Sequence, residues 1–420
     1  MLCSIIFSQP CGMPVRLCII FTGVKLVENF VFEYPTKVYF GRGAVKNYLS
    51  AELKKYGRTV MLAYGGGSLK RNGVYDEVLS VLKDCGKTVV EFSGIMPNPT
   101  CAKVQEGAAL ARENKVDLIL AVGGGSVIDC CKIVALQANF AGDVWAEELE
   151  KHAFPASAPI PLGAVVTVSG TGSEMHGGGV ITNEEKKIKT GLFAAAPVFS
   201  VLDPAYTLSV PFPQVMSGAF DTLSHAMETY FGCPDEDNVS DDISEAVMRS
   251  VIKNMRVLLS DSHNYAARSN LMWDSAIAEN GILKIGKKTV FQVHMIEHQL
   301  GAYTDCNHGM GLAALYPAYY RHIAGAAPAK FARFAQNVWG ISAEGQTQLQ
   351  LAFEGIEALA SFINECGLPA RLSQLKMKGE PEELLSDRSL EEIAYSVPIL
   401  PGNYKKLTGE EIFEILKECR

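Results

Sequence analysis

Apolar positions in the first half of the chain fall into short runs that end in glycine, each followed by a stretch with helical spacing. Thr59-Val-Met-Leu-Ala63 runs into Gly65-Gly66-Gly67-Ser68, and Val78, Leu79 and Leu82 then place a helix around Tyr75 to Leu82. Thr88 to Phe92 predicts the next strand, which ends at Pro97-Asn98-Pro99 and leads to a helix from about Ala102 to Glu113. Asp117-Leu-Ile-Leu-Ala-Val122 is apolar almost throughout, as a strand covered on both faces must be. It enters Gly123-Gly124-Gly125-Ser126 and the helical Val127 to Ala135, and Ala164 to Val168 leads likewise into Ser169-Gly-Thr-Gly-Ser-Glu-Met175. The repeat of strand, glycine turn and helix predicts a doubly wound sheet. Phe30 to Phe40, β-branched or aromatic on both sides of Pro35, predicts two short strands that open it.

After Val201-Leu-Asp-Pro204 the spacing turns helical almost to the end, with long stretches at Ser244 to Leu259, Ser269 to Leu283, Ala329 to Val338 and Thr347 to Cys366. The expected architecture is an α/β N-terminal, doubly wound nucleotide-binding domain over residues 28–209 and an all-α C-terminal domain over 210–420. Residues 1–27 read as a poorly ordered extension. Arg16 and the run Leu17 to Phe21 imitate a signal peptide, but the run is too short for a membrane span and no clean cleavage site follows. The functional chain is expected to begin near Val24 to Leu26, which N-terminal sequencing of native protein would test.

Composition narrows the class. A chain of 420 residues with 48% hydrophobic and 20% charged residues can bury two cores, and a net charge of −8 without a basic stripe excludes a nucleic-acid binder. No stretch calls for a membrane. The eleven cysteines follow no framework spacing and include the neighbours Cys130 and Cys131, so free thiols and a cytoplasmic setting are expected. A homo-oligomer, most simply a twofold dimer, is the general expectation.

Candidate chemistry concentrates between Phe291 and Leu312. His294 and His298, four apart in an apolar run, leave one helix face, and a turn at Gly301 would bring His308 beside them. Asp221 and His225 form a second pair at the same interval. Any one of these histidines alone reads first as a hydrogen-bonded core residue; two pairs and a His-Gly turn read as a divalent metal site in the helical domain.

The glycine turns point to a dinucleotide. Gly123 to Ser126, between a strand and a helix, would offer backbone N–H groups to a phosphate, with Gly124, Gly125 and Ser126 as the candidate contacts. Asp129, in the first turn of that helix, accepts from a ribose or from the turn itself. The earlier turn, Gly65 to Ser68, carries no acid to grip an adenosine ribose, and Lys70 and Arg71 follow, which favours NADP(H) over NAD(H); two solvated surface cations are the alternative.

Taken in order, Tyr64 to Tyr75, Pro97-Asn-Pro99, Ala121 to Asp129, Gly170 to Met175, Leu202-Asp-Pro204, Asp221-xxx-His225 and His294-xxx-His298 with His308 resemble the iron-containing (group III) alcohol dehydrogenases. The resemblance covers nearly the whole chain from about Phe30 and is strongest to their NADPH-dependent butanol dehydrogenase and aldehyde reductase branch. It implies a dehydroquinate synthase-like architecture, a metal, iron or zinc, on Asp221, His225, His294 and His308, and His298 near the nicotinamide without ligating. It further implies NADP contacts at Gly66, Ser68, Asn98, Gly125, Ser126, Asp129, Thr167, Gly178 and Lys189. Lys189 otherwise reads as part of a solvated charge run, Glu184 to Lys189. His176 stands where similar proteins often have Asn or Asp, and Cys306-Asn307 matches no assignable pattern.

The expected activity is hydride transfer between the nicotinamide and a small primary alcohol or aldehyde such as butanol or butanal, with His298 relaying the hydroxyl proton or standing as a core histidine. Phe220, Leu223, Met227, Met295 and Ile296 around the ligands suggest an apolar substrate. A glycerol dehydrogenase-like polyol enzyme, a dehydroquinate synthase-like lyase and a non-catalytic nucleotide sensor are the alternatives. A lyase would need several Lys and Arg beside the metal.

Overall fold

Six strands carry the apolar runs into one parallel sheet. The computed structural model describes residues 29–233, 238–398 and 404–420, so the expectation for residues 1–27 lies outside the described residues. The strands are β1 (Lys37–Phe40), β2 (Thr59–Tyr64), β3 (Thr88–Phe92), β4 (Leu118–Gly123), β5 (Leu162–Val166) and, after a separate antiparallel hairpin of β6 (Gly178–Asn183) and β7 (Ile188–Phe193), β8 (Phe199–Leu202). Their order across the sheet is β1-β8-β5-β4-β2-β3. Alternation sends Val60, Leu62, Tyr64, Leu118 and Leu120 to one face, where α1 (Val74–Asp84) packs. Met61, Ala63, Ile119, Ala121 and Ala164 go to the other, covered by α2 (Cys101–Glu113) and α3 (Gly125–Gln137).

The helices that follow the neighbouring strands β2 and β4 thus leave to opposite faces. The crevice beyond the carboxyl ends of those strands is the switch point where such sheets bind ligands, and the two glycine turns form its lips.

Past β8 the chain is helical. Asp203 caps a turn over Pro204–Ser209, and the long helices are α4 (Phe212–Tyr230), α5 (Val239–Ser260), α6 (Tyr265–Glu279), α7 (Gln292–Thr304), α8 (His308–Ile323), α9 (Pro328–Trp339), α10 (Gln348–Glu365), α11 (Asp387–Ser396) and α12 (Gly409–Cys419). They enclose their own core, in which Phe220, Tyr230, Leu312, Tyr316, Phe331 and Phe362 meet. Helix α6 ties the parts together. Its Met272 and Ala276 join the core beneath the sheet, and its buried Ser275 Oγ accepts from the N–H groups of Gly170 and Gly172, both at 3.1 Å. Among the described residues no helix is long and apolar enough to cross a membrane.

Four expectations need correction. Only Lys37–Phe40 of the opening segment is a strand; Pro35 has no N–H to give a ladder, and pairing starts with Lys37 N–H on Val198 O at 3.2 Å. Gly301 does not turn the chain: α7 continues through Thr304, and the turn comes at Asp305, whose φ is 51°. Glu184 to Lys189 is not one solvated loop, because only 184–187 form the hairpin turn and Lys189 is a buried residue of β7. Phe220, Leu223, Met227 and Ile296 are fully buried in the helical core, so they do not line a substrate pocket.

Candidate metal and dinucleotide site

Helices α4, α7 and α8 each deliver donor atoms to one point. Asp221 Oδ1 lies 3.6 Å from His225 Nδ1, 3.7 Å from His294 Nε2 and 3.5 Å from His308 Nε2. Asp221 Oδ1, His225 Nδ1 and His294 Nε2 are buried and have no hydrogen-bond partner. Orphaned buried polar atoms are costly. Donors held about 2.1 Å from a tetrahedral ion stand roughly 3.4 Å apart; Asp221, His294 and His308 each place a donor atom within 4.8 Å of the others, with His225 Nδ1 beside Asp221 Oδ1, and this oxygen and imidazole set suits a divalent ion of the iron or zinc type.

Two carboxylates behind the ring nitrogens fix the histidines. Glu228, on α4, accepts from His294 Nδ1 and from the backbone N–H groups of Val293 at 2.7 Å and His294 at 3.2 Å, so it also satisfies the open start of α7. Glu297, on α7, accepts from His308 Nδ1 and from Lys189 Nζ, the latter at 3.2 Å. Each bond puts the proton on Nδ1 and leaves Nε2 pointing at Asp221. Asn307 caps α8 by accepting from Met310 N–H at 3.1 Å, which accounts for its place just before His308. Cys306 is buried behind it.

The electrostatics follow. Burial would raise the Asp221 carboxyl, but His225, His308 and His294 outweigh it and hold it well below the usual carboxylate range. Burial would lower His294, yet Asp221 and Glu228 push it up to about 10. His298 differs. Burial, then the charge of Lys189 and the neighbouring histidines, drives its pKa far below normal, so its ring is neutral. Its ring centroid stands 5.5 Å from that of His308 and 6.2 Å from that of His294, and its Nδ1 is buried without a partner.

On the sheet side, Gly65, Gly66, Ser68 and Lys70 form one lip, and Gly124, Gly125 and Ser126 the other. A Cβ on Gly66 would meet nothing within 4 Å, which leaves its backbone approachable, whereas one on Gly125 would strike Thr171 Oγ1 at 2.3 Å. Gly124 caps α3 without a side-chain bond, so the first turn keeps N–H groups for an anion. Thr167 follows β5 with its N–H on Gly123 O at 3.0 Å. Asn98, at φ 52°, donates to Asp305 Oδ1 at 2.8 Å and so joins the sheet side to the turn before His308.

Three residues turn elsewhere. Asp129 accepts from Ser173 Oγ and, at 3.0 Å, from Val180 N–H, which commits its carboxylate to the β6 strand. Gly178 is occupied on both sides, its O by Lys132 Nζ at 2.6 Å and its N–H by His176 Nδ1 at 3.1 Å. Lys70 Nζ lies 3.6 Å from Glu91 and 4.4 Å from the centre of the Tyr75 ring, so it is not a bare surface cation.

Most of the chain matches known families in two consecutive pieces. Residues 35–204 match the iron-containing alcohol dehydrogenase family model, and 215–419 that of the Fe-containing alcohol dehydrogenase family, C-terminal. The chain belongs to the iron-containing alcohol dehydrogenase family. It is 37% identical to NADH-dependent butanol dehydrogenase A of Clostridium acetobutylicum, over 93% of this chain and 99% of that protein. It is 35% identical to the NADPH-dependent aldehyde reductase YqhD of Escherichia coli, over 84% and 90% respectively. The crystal structure of NADH-dependent butanol dehydrogenase A from Thermotoga maritima superposes with a TM-score of 0.86 at 36% identity, covering 94% of this chain and 99% of that one. This iron-containing alcohol dehydrogenase therefore sits in the butanol dehydrogenase and aldehyde reductase branch, with the fold the sequence implied.

Sequence reasoning missed Glu228, Glu297, Glu91 and Phe291 in this alcohol dehydrogenase. Glu228 was within reach, because it follows Asp221 by two helical turns on the same face of α4. Phe291 precedes α7, and its ring centroid lies 5.9 Å from that of His225 and 5.3 Å from that of His294.

Proposed function

We propose that this enzyme passes hydride between NADP(H) and a small primary alcohol or aldehyde such as butanol or butanal. The observation that carries the reading is the convergence of His225, His294 and His308 on Asp221 Oδ1, with Asp221 Oδ1, His225 Nδ1 and His294 Nε2 buried and unsatisfied. Those four residues would hold one divalent ion, iron or zinc. When bound, the ion supplies Lewis acidity at the substrate oxygen and the nicotinamide supplies or takes the hydride.

The chain's own work is placement. Gly65, Gly66, Ser68, Gly124, Gly125 and Ser126 would cradle the pyrophosphate with backbone N–H groups, with Asn98 and Thr167 along the same crevice. Asp129 serves the crevice indirectly, by fixing the hairpin. Phe291 would close one wall beside His225 and His294, an apolar surface for a short alkyl chain. His298, neutral and with Nδ1 unpartnered, would accept the hydroxyl proton in oxidation and return it in reduction.

Lys70 and Arg71 support NADP(H), since they bring two cations to the lip that carries no acid of its own. Glu91 supports a second reading, NADH, because it draws on the Lys70 charge, and a relative such as the Clostridium enzyme is named NADH-dependent. Both readings face one test. Protein stripped by a chelator is reloaded separately with ferrous iron or zinc, and oxidation of NADPH and NADH is followed with butanal. Metal-dependent turnover with a higher kcat/KM for NADPH is expected. Turnover that favours NADH would replace the cofactor assignment, and metal uptake without turnover on aldehydes or polyols would replace the reaction.

A further inference from the structure

We propose that Lys189 is a positioning residue for the metal ligand His308, acting through Glu297, so that the hairpin of the sheet side helps to set the metal site. The inference rests on the metal assignment above. It changes the role of Lys189, which the family resemblance places on the nucleotide.

One oxygen carries the connection. Glu297 Oε2 receives both Lys189 Nζ at 3.2 Å and His308 Nδ1. Glu297 is 0% exposed and Lys189 3%. A lone charge at such depth is strongly disfavoured, so each of the two requires the other. The pair also has space cleared for it. A Cβ at Gly301 would come within 3.1 Å of Lys189 Nζ and 3.3 Å of Glu297 Oε1, and one at Gly311 within 3.2 Å of that same Oε1.

The backbone on either side is fastened as well. Gln299 Nε2 donates to Lys189 O at 3.1 Å, which fixes β7 against α7, and Asn98 holds the Asp305 turn that delivers His308. With both ends held, the Glu297 carboxylate sets the plane of the His308 ring, and that plane puts Nε2 3.5 Å from Asp221 Oδ1. Lys189 in turn sets where that carboxylate lies.

The test is a double-mutant cycle on metal affinity. Lys189→Met, Glu297→Gln and the double variant are titrated with zinc against a chromogenic chelator, and NADPH affinity is measured separately by fluorescence. Outer-shell partners of a metal ligand are worth about ten- to a hundredfold in affinity. Glu297→Gln is therefore expected to weaken zinc binding by that factor and Lys189→Met by about tenfold, while Lys189→Met changes zinc affinity less than about twofold once Glu297 is Gln.

A Lys189→Met protein that binds zinc like the parent and loses only NADPH affinity would overturn the proposal. Should Glu297→Gln fail to fold, the zinc and NADPH affinities of Lys189→Met decide the matter without it. If the parent itself took up no zinc, the metal assignment would fail; if parent and both variants bound zinc equally, only the inference would.

Discussion

Asp221 is the residue on which the site depends, because three imidazoles converge on its one orphaned oxygen. Asp221→Asn keeps the shape and removes the charge, and it should lower metal content and reduce kcat/KM at least about a hundredfold, checked by elemental analysis alongside the butanal assay. His294 gives a prediction with a sign. In metal-free protein its pKa is pushed up to about 10 from an ordinary 6.5. A raised folded value contributes stability that is complete below about 6.5 and lost as pH rises through about 10. Urea unfolding of stripped protein should thus show a falling midpoint between pH 7 and 10. Metal-loaded protein should lack this loss, since the ion displaces the proton. A flat profile in stripped protein would contradict the assignment of that proton.

Among the elements, the contact of α4 with the start of α8 sets the site's dimensions. A Cβ on Gly309 would stand 2.2 Å from Ser217 O, one turn before Asp221 on α4, while Gly309 itself follows His308. In an ordinary helix Ala would be favoured over Gly by about 1 kcal/mol. Here Gly309→Ala should instead destabilise by about 1–3 kcal/mol in urea titration and weaken metal binding, because α8 must back away from Asp221. The same scale explains what the sequence revealed. Strands β2 and β4 could be read because burial on both faces leaves continuous apolar runs. The hairpin could not, since β6 opens with Gly178-Gly179 and β7 with Ile188-Lys189 after four charged residues, and what fixes it lies far off in sequence: Asp129, Lys132 and Glu297. Glu297 was hidden for the same reason, as a buried charge is defined by partners on other elements.

For the molecule as a whole, the sheet and the helices meet through polar groups that each need a partner on the other side: Ser275 under Gly170 and Gly172, Asn98 on Asp305, Lys189 on Glu297. The family and the fold could be read from the chain, and the proposed ligand residues were named from it, whereas this seam could not be, because none of its members stands out by spacing or composition. Metal binding should stabilise the entire chain through it. A hundredfold excess of ion over its Kd contributes about 2.7 kcal/mol, so zinc should raise the unfolding midpoint of both parts together, followed by tryptophan fluorescence and circular dichroism. Separate transitions with only the helical part responding would show that the seam does not transmit. Its composition also bears on redesign. Grafting Asp221, His225, His294 and His308 into another helical scaffold would transfer the ligands but not their aim, which belongs to Glu228, to Glu297 with Lys189, and to the glycines at 301, 309 and 311 that leave room for them. A portable version of this site has to be cut as a block that crosses both halves of the protein.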